Sequence, residues 1–260
     1  MLDTGSVLRR LAAVLVPAFG ILLVSFALPR AALDGRLAVI AYWIAESGDT
    51  YGLPLLALGL LLLLVGRPGL QMQRRGRETV LLLAVAGLHL GGGAYLNEFG
   101  VKPWFGIARP NIQEMAQSGV LRIAALDFYA LGEKTQRTAH LERILAAEGF
   151  AGPPMDARVR QHWTHMTGYS FPSGHSFSSL LATTFFLAMG VTFLPRRRLW
   201  PFYAMVPWAL AVCYSRLILQ VHSPLDICVG ALQGMLVGLA AYLLARALLE
   251  SGDPHIVRPT

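Results

Sequence analysis

The stretch SFSSLLATTFFLAMGVTFL, residues 176–194, decides the fold class because it contains no charged side chain. A helix needs about 20 predominantly apolar residues to cross the hydrocarbon core of a bilayer. Five more uncharged stretches, of similar or slightly shorter length, occupy residues 11–29, 51–66, 79–96, 199–215 and 227–245. The sequence therefore predicts an all-α membrane protein. We expect six transmembrane helices in one bundle and the whole chain, 1–260, as a single integral-membrane domain.

The composition agrees with this prediction. Of the 260 residues, 55% are hydrophobic and 14% are charged, whereas a soluble domain carries about 25% charged residues. This shortfall argues against a soluble enzyme, a disordered tail and a nucleic-acid-binding module. The formal net charge of +7 is then explained by basic loops of a membrane protein.

The basic residues near the predicted span ends indicate the orientation. With six spans, one side of the bundle receives Arg9, Arg10, Arg67, Arg74, Arg75, Arg77, the run 196–198, Arg246 and Arg258. Short loops rich in Lys and Arg face the cytoplasm. We therefore expect both termini in the cytoplasm and the loops after the first, third and fifth spans on the opposite side. Arg9 and Arg10 before an apolar run also occur in signal peptides, but the run 11–29 is long enough to span, so we expect an uncleaved helix.

The only long loop, residues 97–175, is predicted to fold as a small helical subdomain outside the membrane, between spans three and four. We call this loop the cap. Its segment 134–148 has helical apolar spacing, with Leu141, Ile144 and Leu145 on one face. His162 and His165 in the cap are expected to support its fold rather than the chemistry. The shorter apolar block 37–45 is predicted to lie at the membrane interface.

Three clusters of polar residues lie at the ends of predicted spans. Their members are Lys102 and Arg109 after the third span, Ser173, Gly174 and His175 at the start of the fourth, and Arg216, His222 and Asp226 between the fifth and sixth. The six-span topology places all three clusters on the same outer face. Polar groups at membrane depth are costly, so they indicate a functional site.

The first signal in these clusters is a set of groups that bind phosphate. Lys102, Arg109 and Arg216 supply positive charge, and the arginine fork matches phosphate oxygens. A helix that starts at Ser173-Gly174 presents free N–H groups and its positive dipole end to an anion. These features predict a phosphate-binding site.

The second signal is a set of groups for acid–base and nucleophilic chemistry. His175 and His222 can divide the nucleophile and acid roles. Asp226 follows His222 by four residues, one helical turn, and can hold the ring in one tautomer. No pair of carboxylates is placed to hold a catalytic metal, so neither a metal nor another cofactor is expected.

Taken together, Lys102-x6-Arg109-Pro110, Pro172-Ser173-Gly174-His175 and Ser215-Arg216-x5-His222-x3-Asp226 resemble the three-part signature of the type 2 phosphatidic acid phosphatase superfamily. All eleven signature residues are present in order and spacing, and the resemblance covers roughly residues 95–245. Within the superfamily, the chain length, the span pattern and the long third loop resemble the bacterial phosphatidylglycerophosphatase B group.

The resemblance implies a role for each motif residue. His222 is the nucleophile that forms a phosphohistidine, Asp226 orients it, and His175 protonates the leaving group and then assists water. The phosphoryl oxygens are held by Lys102, Arg109, Ser173, the Gly174 N–H group and Arg216. The implied reaction is metal-independent hydrolysis of lipid phosphates such as phosphatidylglycerol phosphate, undecaprenyl diphosphate or phosphatidate, at the periplasmic face of a bacterial inner membrane.

Two other functions stay open from the sequence. A lipid phosphotransferase or lipid A phosphatase uses the same motifs. A transporter or a non-catalytic lipid-binding protein also carries intramembrane charges, although transporters are often built from repeats and none is evident here. The expected partners are a lipid phosphate and membrane lipids, not nucleic acid, and the sequence indicates no oligomeric state.

Overall fold

The computed structural model describes residues 3–147, 150 and 152–251. Within these residues the chain is helical and contains no β-strand. Arg258 of the orientation signal, Glu148 of the predicted cap helix and the two ends of the predicted domain, 1–2 and 252–260, lie outside them. The described α-helices are α1 Thr4–Leu23, α2 Arg36–Ser47, α3 Gly52–Val65, α4 Met72–Gly87, α5 Gly93–Leu96, α6 Lys102–Phe105, α7 Pro110–Gln117, α8 Ala125–Ala130, α9 Lys134–Leu145, α10 Ala157–His165, α11 Gly174–Phe193, α12 Trp200–Ile218 and α13 Pro224–Ser251.

Four described helical stretches are long and apolar enough to cross a membrane. They are Thr4–Ala27, Met72–Gln117, Gly174–Phe193 and Pro224–Ser251. A fifth candidate is the pair α2 and α3, which together pass the same test but are bent by 56°. These helices are those of a multi-pass membrane protein. The count of six stays a prediction, because α12 covers the predicted span 199–215 but is not among the candidates.

Several helix boundaries differ from the predicted spans, and two of the differences place charged residues inside a helix. Helix α1 begins at Thr4, so that Arg9 and Arg10 lie within it rather than before it; Asp3 caps it by accepting a hydrogen bond from the Ser6 N–H group at 3.0 Å. The third predicted span does not end at Leu96. Helical structure continues through two π-helical turns into α6, so the first residues of the predicted cap prolong this helix.

Helix α11 forms the centre of the bundle, with most of its side chains buried. Helix α13 packs directly on it through three glycines spaced by four residues. A Cβ atom at Gly230, Gly234 or Gly238 would collide with the carbonyl oxygens of Ser173, Phe177 or Leu181. Small residues at this spacing let two helices approach closely in lipid. The first of these contacts sets the start of α11 against α13.

The cap contains four short helices, α7 to α10, that pack against α2 and the end of α12. Its buried core includes Phe128, Trp163 and Leu219, and the Trp163 Nε1–H group donates to the Leu219 carbonyl at 2.8 Å. Within the predicted segment 134–148, α9 buries Leu141 and Leu145, as its apolar spacing predicted. The chain that precedes α11 is therefore held in one position relative to α12.

Candidate active site

The three predicted clusters meet at one end of the bundle. Helices α6 and α12 end there, whereas α11 and α13 begin there. The Ser173 N–H group donates to the Asp226 carbonyl at 3.0 Å, which joins the second cluster to the third. The Arg109 Nη1 atom lies 3.0 Å from His222 Nε2, which joins the first cluster to the third. Segments far apart in sequence thus form one continuous site.

His222 lies in the turn between α12 and α13, with Asp226 one helical turn later. Its Nδ1 atom is 3.5 Å from Asp226 Oδ2 and 3.4 Å from Ser170 Oγ. The same carboxylate oxygen accepts hydrogen bonds from Ser170 Oγ at 2.5 Å and from the Ser223 N–H group at 2.7 Å. His222 and Asp226 are both almost completely buried. The predicted pairing of these two side chains is present, and two further donors hold the carboxylate in place.

The guanidinium of Arg109 decides the tautomer of His222. Arginine can only donate, so the Nε2 atom that faces Arg109 Nη1 carries a lone pair, and the ring proton sits on Nδ1 toward Asp226. Burial, and after it the positive charges of Arg109, Arg216 and Lys102, lower the pKa of His222 well below its usual value. A neutral ring whose Nε2 atom carries no proton is the form that a histidine nucleophile requires.

Arg109 itself is anchored by the cap. Its Nε donates to the Gly168 carbonyl at 2.8 Å and its Nη1 to the Val221 carbonyl at 3.1 Å. The backbone N–H group of Arg109 donates to the Tyr129 hydroxyl at 3.0 Å. These bonds hold the buried guanidinium in one orientation toward His222.

Arg216 lies fully buried in the last turn of α12. Its Nη1 donates to His162 Nε2 at 3.1 Å and its Nη2 to the Met166 sulfur at 3.1 Å, whereas its Nε has no hydrogen-bond partner in the described part of the chain. Burial lowers the pKa of His162 to about 4, so this ring is a neutral acceptor at pH 7. A charged, buried and only partly satisfied guanidinium suits an anionic ligand.

Lys102 enters the site from the end of the third helix. Its Nζ donates to Glu98 Oε2 at 2.6 Å, and Glu98 also pairs with Lys134 of the cap. A Cβ atom at Gly174 would lie 3.9 Å from Lys102 Nζ, so the ammonium group reaches the start of α11. Among the described residues, no three His, Cys, Asp or Glu side chains are grouped to hold a metal ion.

The start of α11 supplies backbone donors. Ser173 is its N-cap; its hydroxyl accepts from the Ser176 N–H group at 3.4 Å and its carbonyl from the Phe177 N–H group at 3.0 Å. The N–H groups of Gly174 and His175, which come before Ser176 in the first turn, have no acceptor within the helix. They can therefore donate hydrogen bonds to a ligand. The helix end and the Lys102 ammonium thus converge on one position, which fits a phosphate group.

His175 stands outside the hydrogen-bond network around His222. Its Nε2 atom is buried and has no hydrogen-bond partner within the described residues. The ring faces Asp49, with 3.8 Å between His175 Nε2 and Asp49 Oδ2. All eight residues predicted for the site lie at this end of the bundle. Arg109, His222, Asp226 and Ser173 are joined to one another by direct contacts, and His175 is connected to them through the first turn of α11.

Sequence reasoning missed several side chains that contact the predicted ones. They are Glu46, Asp49, Glu98, Tyr129, His162 and Ser170. The sequence did contain a signal for Glu98: it precedes Lys102 by four residues, one helical turn, which is the spacing of an ion pair on a helix. Ser170 lies just before the second motif, but the residue that it contacts, Asp226, belongs to the third. Glu46, Asp49, Tyr129 and His162 come from parts of the chain that no local spacing connects to the motifs. His162, expected to support only the fold of the cap, contacts Arg216 directly.

A comparison with known families matches residues 79–249 to the PAP2 superfamily. The match contains all three motifs and more than half of the chain. The chain belongs to the PAP2 superfamily. This confirms the family that the motif spacing predicted.

Individual PAP2 proteins match over shorter stretches. Phosphatidylglycerophosphatase B of Escherichia coli (strain K12) is 35% identical over 121 residues, 46% of this chain and 44% of that protein. Phosphatidylglycerophosphatase B of Haemophilus influenzae is 36% identical over 93 residues, 34% and 38% of the two chains. The putative undecaprenyl-diphosphatase YbjG of Escherichia coli is 33% identical over 84 residues, 32% and 39%. The matches thus span less than half the length of each relative.

Proposed function

We propose that this PAP2 protein is a lipid phosphatase that hydrolyses lipid phosphomonoesters or diphosphates through a phosphohistidine on His222. The observation that carries the proposal is the state of the His222 ring. Its Nε2 lone pair faces Arg109 at 3.0 Å, and its Nδ1 faces Asp226 at 3.5 Å. A neutral imidazole held from behind by a carboxylate, beside buried cations, is arranged for attack on phosphorus.

In the first step, His222 Nε2 attacks phosphorus. The N–P bond forms, the P–O bond to the lipid breaks, and His175 transfers its proton to the leaving oxygen. The leaving group is a lipid alcohol or, for a diphosphate, a lipid phosphate. Asp226 accepts the Nδ1–H bond throughout and stabilises the positive charge on the ring.

In the second step, His175 takes a proton from water, whose oxygen attacks the phosphohistidine. The N–P bond breaks, inorganic phosphate leaves and His222 returns to its neutral form. Lys102, Arg109 and Arg216 neutralise the phosphoryl oxygens, with the N–H groups at the start of α11. Positioning and charge neutralisation carry most of the catalysis of phosphoryl transfer, and in this site the three cations supply that charge.

A cavity beside His222 supports a lipid as the substrate. It has a volume of about 490 Å³ and its wall includes His222 together with Leu28, Leu37, Leu217 and Ile218. Leu28 and Leu37 are half-exposed on the outer surface of the bundle, so the cavity connects the site with the surroundings of the helices. Its apolar wall fits a hydrocarbon chain. The names of the relatives make phosphatidylglycerol phosphate and undecaprenyl diphosphate the first substrates to test, with phosphatidate.

We infer a bacterial inner-membrane location with the site on the periplasmic side and both termini in the cytoplasm. The support is the polarity of α11, which has Ser173 at its start and the run Arg196–Arg198 directly after its end. A helix of this length spans about 30 Å, so the site and this basic loop lie at opposite ends. Basic loops face the cytoplasm, which leaves the site on the other face.

The test is phosphate release from purified protein in detergent with EDTA present. We expect the wild type to release inorganic phosphate from the lipid phosphates above, and His222→Ala to lose at least about 1,000-fold in kcat because the nucleophile is gone. His165→Ala is the matched control, since His165 is an exposed cap histidine, and it should retain wild-type activity.

The outcomes separate the competing functions. No release by the wild type would rule out the phosphatase. Equal release by His222→Ala would remove His222 as the nucleophile. Loss of the lipid phosphate without inorganic phosphate would indicate transfer to another lipid, and loss of activity with EDTA would contradict a reaction without metal.

A further inference from the structure

The bend between α2 and α3 brings acidic side chains to the active site. The two helices meet at 56° over residues 48–51. The bend is fixed against α12 at two points: the Trp208 Nε1–H group donates to Ser47 Oγ at 3.0 Å, and a Cβ atom at Gly48 would lie 2.9 Å from the Val212 side chain. Because α12 also carries Arg216, the residue after Gly48 has a defined position relative to the site.

That residue is Asp49, and its two carboxylate oxygens have different partners. Oδ1 accepts hydrogen bonds from the Thr50 N–H group at 2.8 Å and from Thr50 Oγ1 at 3.2 Å. Oδ2 is left to face His175, with 3.8 Å to the Nε2 atom. The Nε2 atom is buried and has no hydrogen-bond partner in the described part of the chain. One side of the His175 ring is thus directed at a carboxylate that is itself held by the bend.

The charges around His175 make this carboxylate important. Burial is the largest influence that disfavours a proton on this ring, and the positive charges of Arg216 on α12 and Arg109 at the start of α7 add to it. The rings of His162 on α10 and His222 in the turn before α13 add positive charge only when they are protonated. A second carboxylate, that of Glu46 in α2, faces His162 rather than His175, with 3.6 Å between Glu46 Oε1 and His162 Nδ1. A general acid must carry a proton before it can donate one, and like charges oppose that proton. Asp49 supplies the opposing negative charge at the ring.

We propose that Asp49 is a positioning residue for His175: its Oδ2 atom accepts the Nε2–H bond, favours the protonated form of the ring and orients it for delivery of a proton to the leaving oxygen. The role rests on the proposed function, because it concerns the acid of that reaction. The proton that moves is then the one on Nδ1, which passes to the lipid oxygen as the P–O bond breaks. Asp49 transfers no proton to the substrate and does not touch it.

The test compares two leaving groups. A lipid alkoxide is a poor leaving group and needs a proton, whereas p-nitrophenolate leaves without one. In Asp49→Asn we expect kcat/KM for phosphatidate to fall by roughly 10-fold or more, a part of the roughly 100-fold or greater contribution of a general acid, because the His175 side chain itself is kept. We expect kcat/KM for p-nitrophenyl phosphate to stay within about threefold of the wild type, because p-nitrophenolate leaves without a proton and its hydrolysis depends little on the general acid. Asp49→Glu should restore part of the phosphatidate activity. Asp34→Asn, at an exposed aspartate that does not line the cavity beside His222, should match the wild type.

The pH profile gives a second readout. The basic limb of kcat/KM for phosphatidate should move to lower pH in Asp49→Asn, because His175 loses its proton more readily without the carboxylate. An equal loss on both substrates would mean a structural role and overturn the proposal, as would an unchanged phosphatidate rate and profile. If the wild type releases no phosphate from either substrate, the proposed function fails and the role of Asp49 fails with it. If the wild type is active, these results test the role of Asp49 separately from the proposed function.

Discussion

The Nε2 atom of His222 lies 3.0 Å from Arg109 Nη1, so an obligate donor faces the ring nitrogen that we propose as the nucleophile. The contact keeps the Nε2 lone pair unprotonated. In the proposed reaction, Arg109 Nη1 donates to a phosphoryl oxygen instead of the ring when the substrate binds, while its Nε–H bond to the Gly168 carbonyl keeps the guanidinium in place.

The acid limb of the pH–rate profile reports His222. Burial and the surrounding cations lower its pKa, so the ring stays neutral at pH values below about 6.5, where a free histidine would protonate. Activity is lost as the pH falls through this lowered value, because protonated Nε2 cannot attack. We expect a plot of kcat/KM against pH from 4 to 10 to be bell-shaped, with its acid limb below pH 6.5. This shape is expected because the reaction needs one histidine unprotonated and the other protonated. A flat profile from pH 5 to 9 would contradict the two-histidine scheme.

Lys102 and Lys134 form a matched pair, because both contact Glu98 but only Lys102 is buried at the start of α11. We expect Lys102→Met to lower kcat/KM for a lipid phosphate by about 100-fold, the size of losing one charge-assisted contact in a buried site. Lys134→Met should change it by less than about threefold, as expected for a half-exposed ion pair. Equal losses in steady-state phosphate release would show that the Glu98 cluster acts as a structural unit.

Gly230 sets the distance between α13 and the start of α11. A Cβ atom there would collide with the Ser173 backbone, which also donates to the Asp226 carbonyl. Gly230→Ala should lower stability by roughly 1–3 kcal/mol through overpacking and reduce activity by moving the phosphate-binding turn. Gly59→Ala in α3 meets no atom within 4 Å and should be neutral or slightly stabilising. Thermal unfolding in detergent, read beside phosphate release, checks both.

The cavity beside His222 can be blocked without altering the charged groups. Leu217→Trp fills part of the apolar wall, and we expect a rise of about 10-fold or more in KM for a long-chain lipid phosphate, the size of one lost apolar anchor. The kcat/KM for p-nitrophenyl phosphate, which has no chain, should stay the same. Leu244→Trp, at a partly exposed position of α13 away from the cavity, is the control. Unchanged KM for the lipid in Leu217→Trp would exclude this cavity as the site of the chain.

The residues predicted for the site lie close together in the structure partly because each motif has its own local geometry. The four-residue spacing brings His222, in the turn before α13, close to Asp226 in the first turn of that helix. Pro-Ser-Gly-His at the start of an apolar run gives a capped helix with free N–H groups. The glycine spacing in α13 likewise produced the close helix pair.

Other features depended on parts of the chain that no local pattern connects. Residues 37–45 lie in α2, which meets α3 at a bend of 56°, and their interfacial position stays a prediction. The bend itself had no signal in the sequence. The extension of the third helix to Phe105 was also missed, because charged and glycine residues after Leu96 resemble the start of a loop. Within this extension Asn97 is buried and accepts a hydrogen bond from the Gln233 side chain of α13 at 2.9 Å, a tertiary contact that no local pattern predicts.

The sequence by itself determined the helical class, the superfamily and the eight residues expected to handle phosphate, because hydropathy and motif spacing are local properties. Only the tertiary structure decided which other side chains contact those eight residues. Ser170 holds Asp226, His162 contacts Arg216, and Asp49 faces His175. These partners come from the cap and from the bend between α2 and α3, and their positions depend on how distant helices pack. Such contacts have no fixed spacing along the chain, since burial around α12 and α11 brings them together.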